Sequence, residues 1–186
     1  MTREFEGLQF PDAGTYELDA AHKRVGFVVK HLMVSKVRGQ FSEATATIVV
    51  AENPLESSVT ASIKTASVET GQVDRDNHLR TGDFFEAEKF PTMEFRSTGV
   101  TSHSGAEFVL AGELTIKDIT KPVELVVEFE GATTSPYGQS VFGFSATTEI
   151  DRTEWDLNWN VALEGGGVMV SKKVKIEIEG EAVLQA

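Results

Sequence analysis

Apolar and polar residues alternate with a period of two along most of the chain. In "RVGFVVKHLM" one phase holds Val25, Phe27, Val29, His31 and Met33, and the other holds Arg24, Gly26, Val28, Lys30 and Leu32. "FVLAGELTI" sets Phe108, Leu110, Gly112, Leu114 and Ile116 on one side, and "PVELVVEF" turns Val123, Leu125, Val127 and Phe129 away from Glu124, Glu128 and Glu130. "VFGFSATTEI" repeats the pattern with Phe142, Phe144, Ala146, Thr148 and Ile150, and "VKIEIEGEAVL" with Val174, Ile176, Ile178, Gly180 and Ala182. Such alternation is the mark of a half-buried antiparallel strand. Shorter runs at 15–19, 40–50, 59–68 and 92–100 add Phe41, Ile48, Ile63 and Phe95 to the apolar set, for eight or nine strands in all.

Several of these runs exceed the ~5 to 6 residues of an ordinary strand. Long amphipathic strands leave edges that closure removes, so the pattern predicts an all-β up-and-down barrel or a deep sandwich. No repeat or flexible linker divides the chain, which reads as a single domain over 15–186 behind an N-terminal extension of 1–14. "IKDIT" and "EGATTSPYGQ" read as hairpin connections. The glycines at 165–167 read as a flexible loop at a barrel mouth, since no helix follows to aim amides at a phosphate.

One stretch, "NHLRTGDFFEAEKFPTMEF", breaks the alternation. Asp74 is placed to cap a short helix running through Asn77, His78 and Leu79 to Gly82 as its C′ residue. Phe84 and Phe85 then form an apolar step, and Pro91 returns the chain to extended backbone. The reading is a helical lid insert around 72–86, closing one end of the barrel.

Charge narrows the partners. The 186 residues carry 17 Lys and Arg against 29 Asp and Glu, a formal charge of -12. That field opposes nucleic acid and anionic membrane surfaces. There are no cysteines, hence no disulfides and no thiolate chemistry. The first residues, "MTREFEGLQFPDAG", hold no apolar run of signal-peptide length, and no run elsewhere is long enough to span a bilayer. The expectation is a cytoplasmic protein without stable membrane insertion, or a periplasmic or secreted one if a signal has been removed.

Candidate chemistry is sparse. His22, His31, His78 and His103 show no HxH or HxxxH spacing, and no metal site is expected. His31, on an apolar face, is expected to bond a backbone carbonyl or Asp19, or else to touch a ligand's polar head at the mouth. Arg152, flanked by Asp151, Glu154 and Asp156, is expected either to pair with Asp76 or Asp83 on the lid or to clamp such a head. No nucleophile elbow, triad order or P-loop occurs, and Ser35 lies too close to Lys36 to cooperate with it. Catalysis is not expected.

Four segments, "YELDAAHKRVGFVVKHLMVSKVRGQF", "TGQVDRDNHLRTGDFFEAEKFPTMEFRST", "GELTIKDITKPVEL" and "FSATTEIDRTEWDL", together resemble the YceI-like family of lipocalin-like polyisoprenoid-binding proteins, across roughly residues 15 to 184. The resemblance implies an eight-stranded antiparallel barrel whose apolar interior holds an isoprenoid chain, such as a quinone tail or a prenyl lipid, with no other cofactor. Phe27, Val29, Phe41, Ile48, Ile63, Phe95, Phe108, Leu110, Leu114, Leu125, Val127, Phe142, Phe144 and Ile176 are then the expected lining. His31, His78, Leu79, Phe84, Phe85 and Arg152 are the expected mouth and lid. Small inward residues (Ala44, Ala46, Ala61, Gly112, Ala146, Gly180 and Ala182) are expected to leave room along the axis. The chain departs from the family's common glycines at Asp118 and Asp156, and Asp156 is expected to alter the mouth near Arg152. The competing reading is a structural or partner-binding, stress-related barrel with a filled core. A homodimer is compatible with either reading.

Overall fold

The computed structural model describes residues 2–186. Twelve strands and one helix follow in order: β1 (Thr2–Phe5), β2 (Leu8–Pro11), β3 (Gly14–His31), β4 (Ser35–Phe41), β5 (Ala44–Val50), β6 (Ser58–Lys64), β7 (Val68–Glu69), α1 (Val73–Leu79), β8 (Thr92–Ser104), β9 (Glu107–Ile116), β10 (Ile119–Thr134), β11 (Ser140–Asp151) and β12 (Val170–Leu184). Apart from the β1–β2 hairpin they form one antiparallel sheet, and β12 pairs back onto β3. The result is the closed eight-position meander, because β4 and β5 both pair with β3 and share one place in the wall, and β7 pairs only with β4.

Several strand boundaries differ from the sequence pattern, among them that of the run at 59–68, which breaks into β6 and β7 around a 3-10 turn at Thr65–Ser67. The runs at 15–19 and 24–33 belong to one strand, β3, which ends at His31 and leaves Leu32 and Met33 in a turn, and whose register against β12 shifts between Lys23↔Gly180 and Leu18↔Ala182. Asp19 to His22 bulge there, with the Ala21 amide donating to Asp19 Oδ1 at 2.9 Å, and the bulge hides the continuity. Conversely, the run at 40–50 divides at Ser42 and Glu43. Their amides donate to Ser67 O and Ser67 Oγ, both at 3.1 Å, so a buried serine satisfies the kink.

The apolar phases face inward in two layers. One gathers Phe41, Ile63, Phe95, Leu110, Leu114 and Ile150 with the lid's Phe84. The other gathers Tyr16, Ile48, Val50, Phe142 and Ala182 at the opposite end. There the β1–β2 hairpin crosses the floor. The Phe10 ring lies 4.8 Å from Phe129 and 5.9 Å from Phe108. Arg3 ties the hairpin down by donating to Glu52 O at 2.7 Å, to Pro11 O at 3.2 Å and to Ala51 O. His103, read from sequence as part of a loop, lies within β8 and meets Glu6 of the hairpin at 2.9 Å, with its ring stacked on Phe108.

The β9–β10 connection explains one departure from glycine. Lys117 and Asp118 both take positive φ, 52° and 70°, between the paired residues Ile116 and Ile119. That is a two-residue hairpin turn, and aspartate tolerates its left-handed backbone far better than a β-branched residue does. Replacing Asp118 with Gly should leave stability within about 0.5 kcal/mol, whereas Asp118→Val should cost about 1 to 2 kcal/mol in urea denaturation.

Candidate functional site

Inside the wall lies a cavity of about 660 Å³, within the ~300 to 1,000 Å³ range of small-molecule sites. Its sides come from the inward phases. Phe27 and Val29 enter from β3, Phe41 from β4, Ile48 from β5, Ile63 from β6 and Phe95 from β8. Phe108, Leu110 and Leu114 come from β9, Leu125 and Val127 from β10, Phe142 and Phe144 from β11, and Ile176 from β12. His31, His78, Leu79, Phe84, Phe85 and Arg152 border the same space at the lidded end. The fourteen residues expected as lining and the six expected at the mouth therefore surround one cavity, which the small residues Gly112, Gly180 and Ala182 do not border. Among the described residues no buried side-chain nitrogen or oxygen lacks a hydrogen-bond partner, so the interior asks for no polar partner along its length.

The glycines work differently from the expectation that they leave open space. A Cβ on Gly39 would collide with the Phe27 ring, one on Gly112 with the Phe95 ring, and one on Gly180 with Leu18 and the Phe144 ring. Phe27 and Phe144 sit directly across the ladder from Gly39 and Gly180. Phe95 reaches Gly112 diagonally, since Gly112 is opposite Ser97. The glycines let these rings lie along the wall instead of standing into the lumen. Bore is thus preserved by laying aromatics flat, and the alanines Ala44, Ala46, Ala61 and Ala146 line it directly.

The lid is a short helix followed by a turn. Its N-cap is Gln72, whose side chain accepts from the Arg75 amide, and its C-cap is Arg80. Asp74 and Gly82 do not hold those places. Asp74 lies inside the first turn, and Asp76 is engaged by Thr70, whose amide donates to it at 2.8 Å. Arg80 fastens the lid to the wall by donating to Ala66 O and Val68 O, both at 2.8 Å. Phe84 is buried, and Phe85 meets the Phe41 ring edge-on at 5.5 Å. His78 bonds Asp83 at 2.8 Å and sits edge-on to Trp159 at 4.7 Å and to Phe84 at 5.1 Å.

Trp159 belongs to the segment between β11 and β12, where the sequence reading placed Arg152 and the glycines at 165–167 at the mouth but not Trp159. Leu157, Trp159 and Met169 all border the cavity there. An irregular segment has no period to mark its inward residues. Phe10 and Pro11, bordering the cavity at the floor, escaped because the short strand β2 lies within the stretch read as an N-terminal extension outside the barrel.

Arg152 borders the cavity but does not make the expected ion pair with Asp76 or Asp83. It is 4% exposed and donates to Ser171 O at 3.0 Å, to Val170 O at 3.3 Å and to Leu157 O, with no carboxylate partner. Asp76 and Asp83 are occupied by Thr70 and His78. Burial pulls the guanidinium's pKa below its ordinary value, with nearby Asp151 opposing the shift. Arg152 thus gathers carbonyls where β11 ends and β12 begins. Asp156, expected to alter the mouth, does not border the cavity. It caps the 3-10 turn Arg152–Trp155 with a left-handed φ of 59°, and its carbonyl accepts from Lys117 Nζ at 3.2 Å.

Asp19 bonds His22 at 2.7 Å, not His31. Glu181 lies 3.9 Å from the same imidazole, so Asp19, His22 and Glu181 present three ligand-type atoms close together on the outer surface. The hydrogen bond to the Asp19 carboxylate, then the charge of Glu181, hold the His22 pKa above 6.5. The bond from His22, then the Ala21 amide, hold the Asp19 pKa below 3.8. A raised imidazole favours the fold below pH 6.5 and loses that effect as pH rises through its raised value. A depressed carboxyl favours the fold above pH 3.8 and loses that effect as pH falls through its lowered value.

With this geometry in view, comparisons with known proteins agree on the architecture. The family model described as "YceI-like domain" matches residues 16–182. A UPF0312 protein of Staphylococcus aureus is 39% identical over 168 residues, covering 89% of this chain and 95% of its own. Among solved structures, a YceI protein of Campylobacter jejuni superposes with a TM-score of 0.72 at 30% identity, covering 84% of this chain and 90% of its own. BcnA of Burkholderia cenocepacia gives 0.76 at 20% identity, covering 88% and 98%. A polyisoprenoid-binding domain of Saccharophagus degradans, implicated in plant cell wall breakdown, gives 0.69 at 12% identity, covering 94% and 100%. The last two speak to fold alone.

Two measurements check this geometry. Arg152→Lys, which keeps the charge but not the fork, should lower unfolding free energy by about 2 to 3 kcal/mol as buried carbonyls lose their donors. A loss under 0.5 kcal/mol would contradict the carbonyl-gathering role. In an NMR titration His22 should have its midpoint above 6.5 and return toward that value in Asp19→Asn; an unmoved midpoint would remove Asp19 as the cause.

Proposed function

The chain belongs to the YceI-like family, and from that membership together with its lined cavity we propose that it binds, stores or carries one isoprenoid lipid, a quinone tail or prenyl chain, with the apolar chain inside the barrel. The observation that carries the reading is an unfilled apolar space of about 660 Å³ bordered by the inward phase of every wall strand. A solid core, the competing structural reading, would leave no such volume. The relation in fold to a polyisoprenoid-binding domain supports the same ligand class.

Affinity would come from burial. One isoprene unit's five carbons contribute on the order of 3 to 4 kcal/mol at ~0.8 kcal/mol per carbon group, before ordering costs. Several units suffice for retention through purification. The lidded end, where His31, His78, Asp74 and Arg75 border the cavity, is the only stretch of lining with clustered charge among the described residues, and a polar head would rest there. The lid's Phe84 and Phe85 would move aside for loading.

Organic extraction of the purified protein followed by mass spectrometry should yield a prenyl lipid or quinone near one per barrel. An empty extract, followed by no uptake of added prenyl lipid, would overturn the carrier reading. Phe84→Asp with Phe85→Asp should lower retained lipid roughly tenfold or more while the β-sheet circular dichroism persists. Unchanged lipid content in that variant would refute the gate but leave the carrier standing.

A further inference from the structure

The turn between β3 and β4 departs further from the usual turn residues than the β1–β2 and β9–β10 turns do. Leu32 and Met33 take positive φ, 52° and 61°, and the Val34 amide donates back to His31 O at 3.1 Å. Turns with two left-handed central residues ordinarily carry Asn, Asp or Gly, because a bulky L-side chain is strained there. The β1–β2 turn has Glu6 and Gly7 in that geometry, and the β9–β10 turn has Lys117 and Asp118. At the β3–β4 turn both central residues are large and apolar. Burial does not offset the strain, since Leu32, Met33 and Val34 are 38%, 52% and 84% exposed. Strain combined with exposed apolar surface points to something outside the chain.

Charge says what that is. Lys30 and Lys36 are paired across the ladder on either side of the turn, both exposed, and neither forms an ion pair among the described residues. Further down the same outer face Arg38, Lys173 and Lys175 do have acidic neighbours. Glu177 lies 3.8 Å from Arg38 and 3.2 Å from Lys175, and Glu149 lies 3.9 Å from Lys173. The unpaired charge nearest the apolar turn is therefore positive. The acidic excess sits elsewhere, for example on the outward phase of β10 at Glu124, Glu128 and Glu130. Beyond a screening length of about 8 Å at physiological salt, the net charge of -12 no longer decides what touches this corner.

Position completes the argument. The Leu32 amide donates to Met169 O at 2.8 Å, and both His31 and Met169 border the cavity at its lidded end. The apolar tip thus stands beside the opening, flanked by two free lysines.

We propose that this turn docks the mouth of the barrel on an anionic lipid bilayer, with Leu32, Met33 and Val34 entering the headgroup layer and Lys30 and Lys36 against lipid phosphates. The contact is peripheral, and no helix among the described residues is long and apolar enough to cross a membrane. The proposal rests on the carrier reading, for which it supplies a route: an isoprenoid chain passes between bilayer and cavity without crossing water.

The test is co-sedimentation with vesicles of phosphatidylglycerol and phosphatidylcholine, against phosphatidylcholine alone. Wild type should bind the anionic vesicles and release them at high salt. Lys30→Gln with Lys36→Gln should bind roughly 30-fold more weakly, the loss of two lysines at about 1 kcal/mol each near an anionic surface. Leu32→Asn with Met33→Gly installs residues the turn geometry favours, so the fold is kept while binding falls roughly tenfold or more. Both variants should keep the wild-type melting temperature or exceed it. No binding by wild type, or binding unchanged in both variants, overturns the proposal, as does a concentration-dependent dimer lost on changing the turn with no vesicle binding. Lipid extraction reports separately on the carrier reading, so a loaded protein that ignores vesicles refutes docking alone.

Discussion

The ladder between β3 and β12 is the contact on which the rest depends. It joins residues as far apart in sequence as Tyr16 and Leu184, which are register partners across it. Without it the sheet would end in two long edges, each a row of unpaired amides and carbonyls. With it, the wall satisfies its own backbone, and the inner face can be carbon throughout without leaving polar groups stranded. An apolar lumen is thus a consequence of closure before it is a matter of side chains.

Where the wall stops, closure no longer supplies partners, and arginine takes over. Arg3 collects carbonyls under the floor, Arg80 collects those of Ala66 and Val68 beneath the lid, and Arg152 collects three more where β11 gives way to β12. A guanidinium offers five donors in a rigid fork and no acceptor, which suits converging carbonyls. In a chain so rich in carboxylates these three cations serve chiefly the backbone, although Arg3 also meets the Glu52 carboxylate at 3.0 Å. The carboxylates stay on the outer wall, facing water.

How much could be read from the sequence depended on regularity. Strand phases were legible because one face meets carbon and the other meets water. Phe108, Leu110 and Leu114 could therefore be assigned inward from spacing alone. The lid was legible as an interruption, although its caps were not, since Gln72 is a less usual N-cap than the nearby Asp74. The ends of the barrel were less legible. Phe10, Leu157, Trp159 and Met169 reach the cavity from a hairpin or irregular backbone, where neighbours are set by tertiary contacts. Arg152 misled because flanking acids suggest ion pairing, while the 3-10 turn carries its side chain toward carbonyls instead. The glycines misled differently, since an absent side chain reads as space until the ring that fills it is seen.

The floor has a kinetic meaning. Phe10 lies against Phe129 and Phe108 across one end of the barrel, and Arg3 holds its hairpin to the carbonyls of Ala51 and Glu52. The carrier proposed above would then work as a cup with one door. A guest would leave by the route it entered, and a second molecule could not push it out from behind. Exchange would be dissociative, at the rate of lid opening and departure, independent of how much competitor waits outside. A linear guest would enter with its least polar end leading, so its orientation would be decided at the threshold.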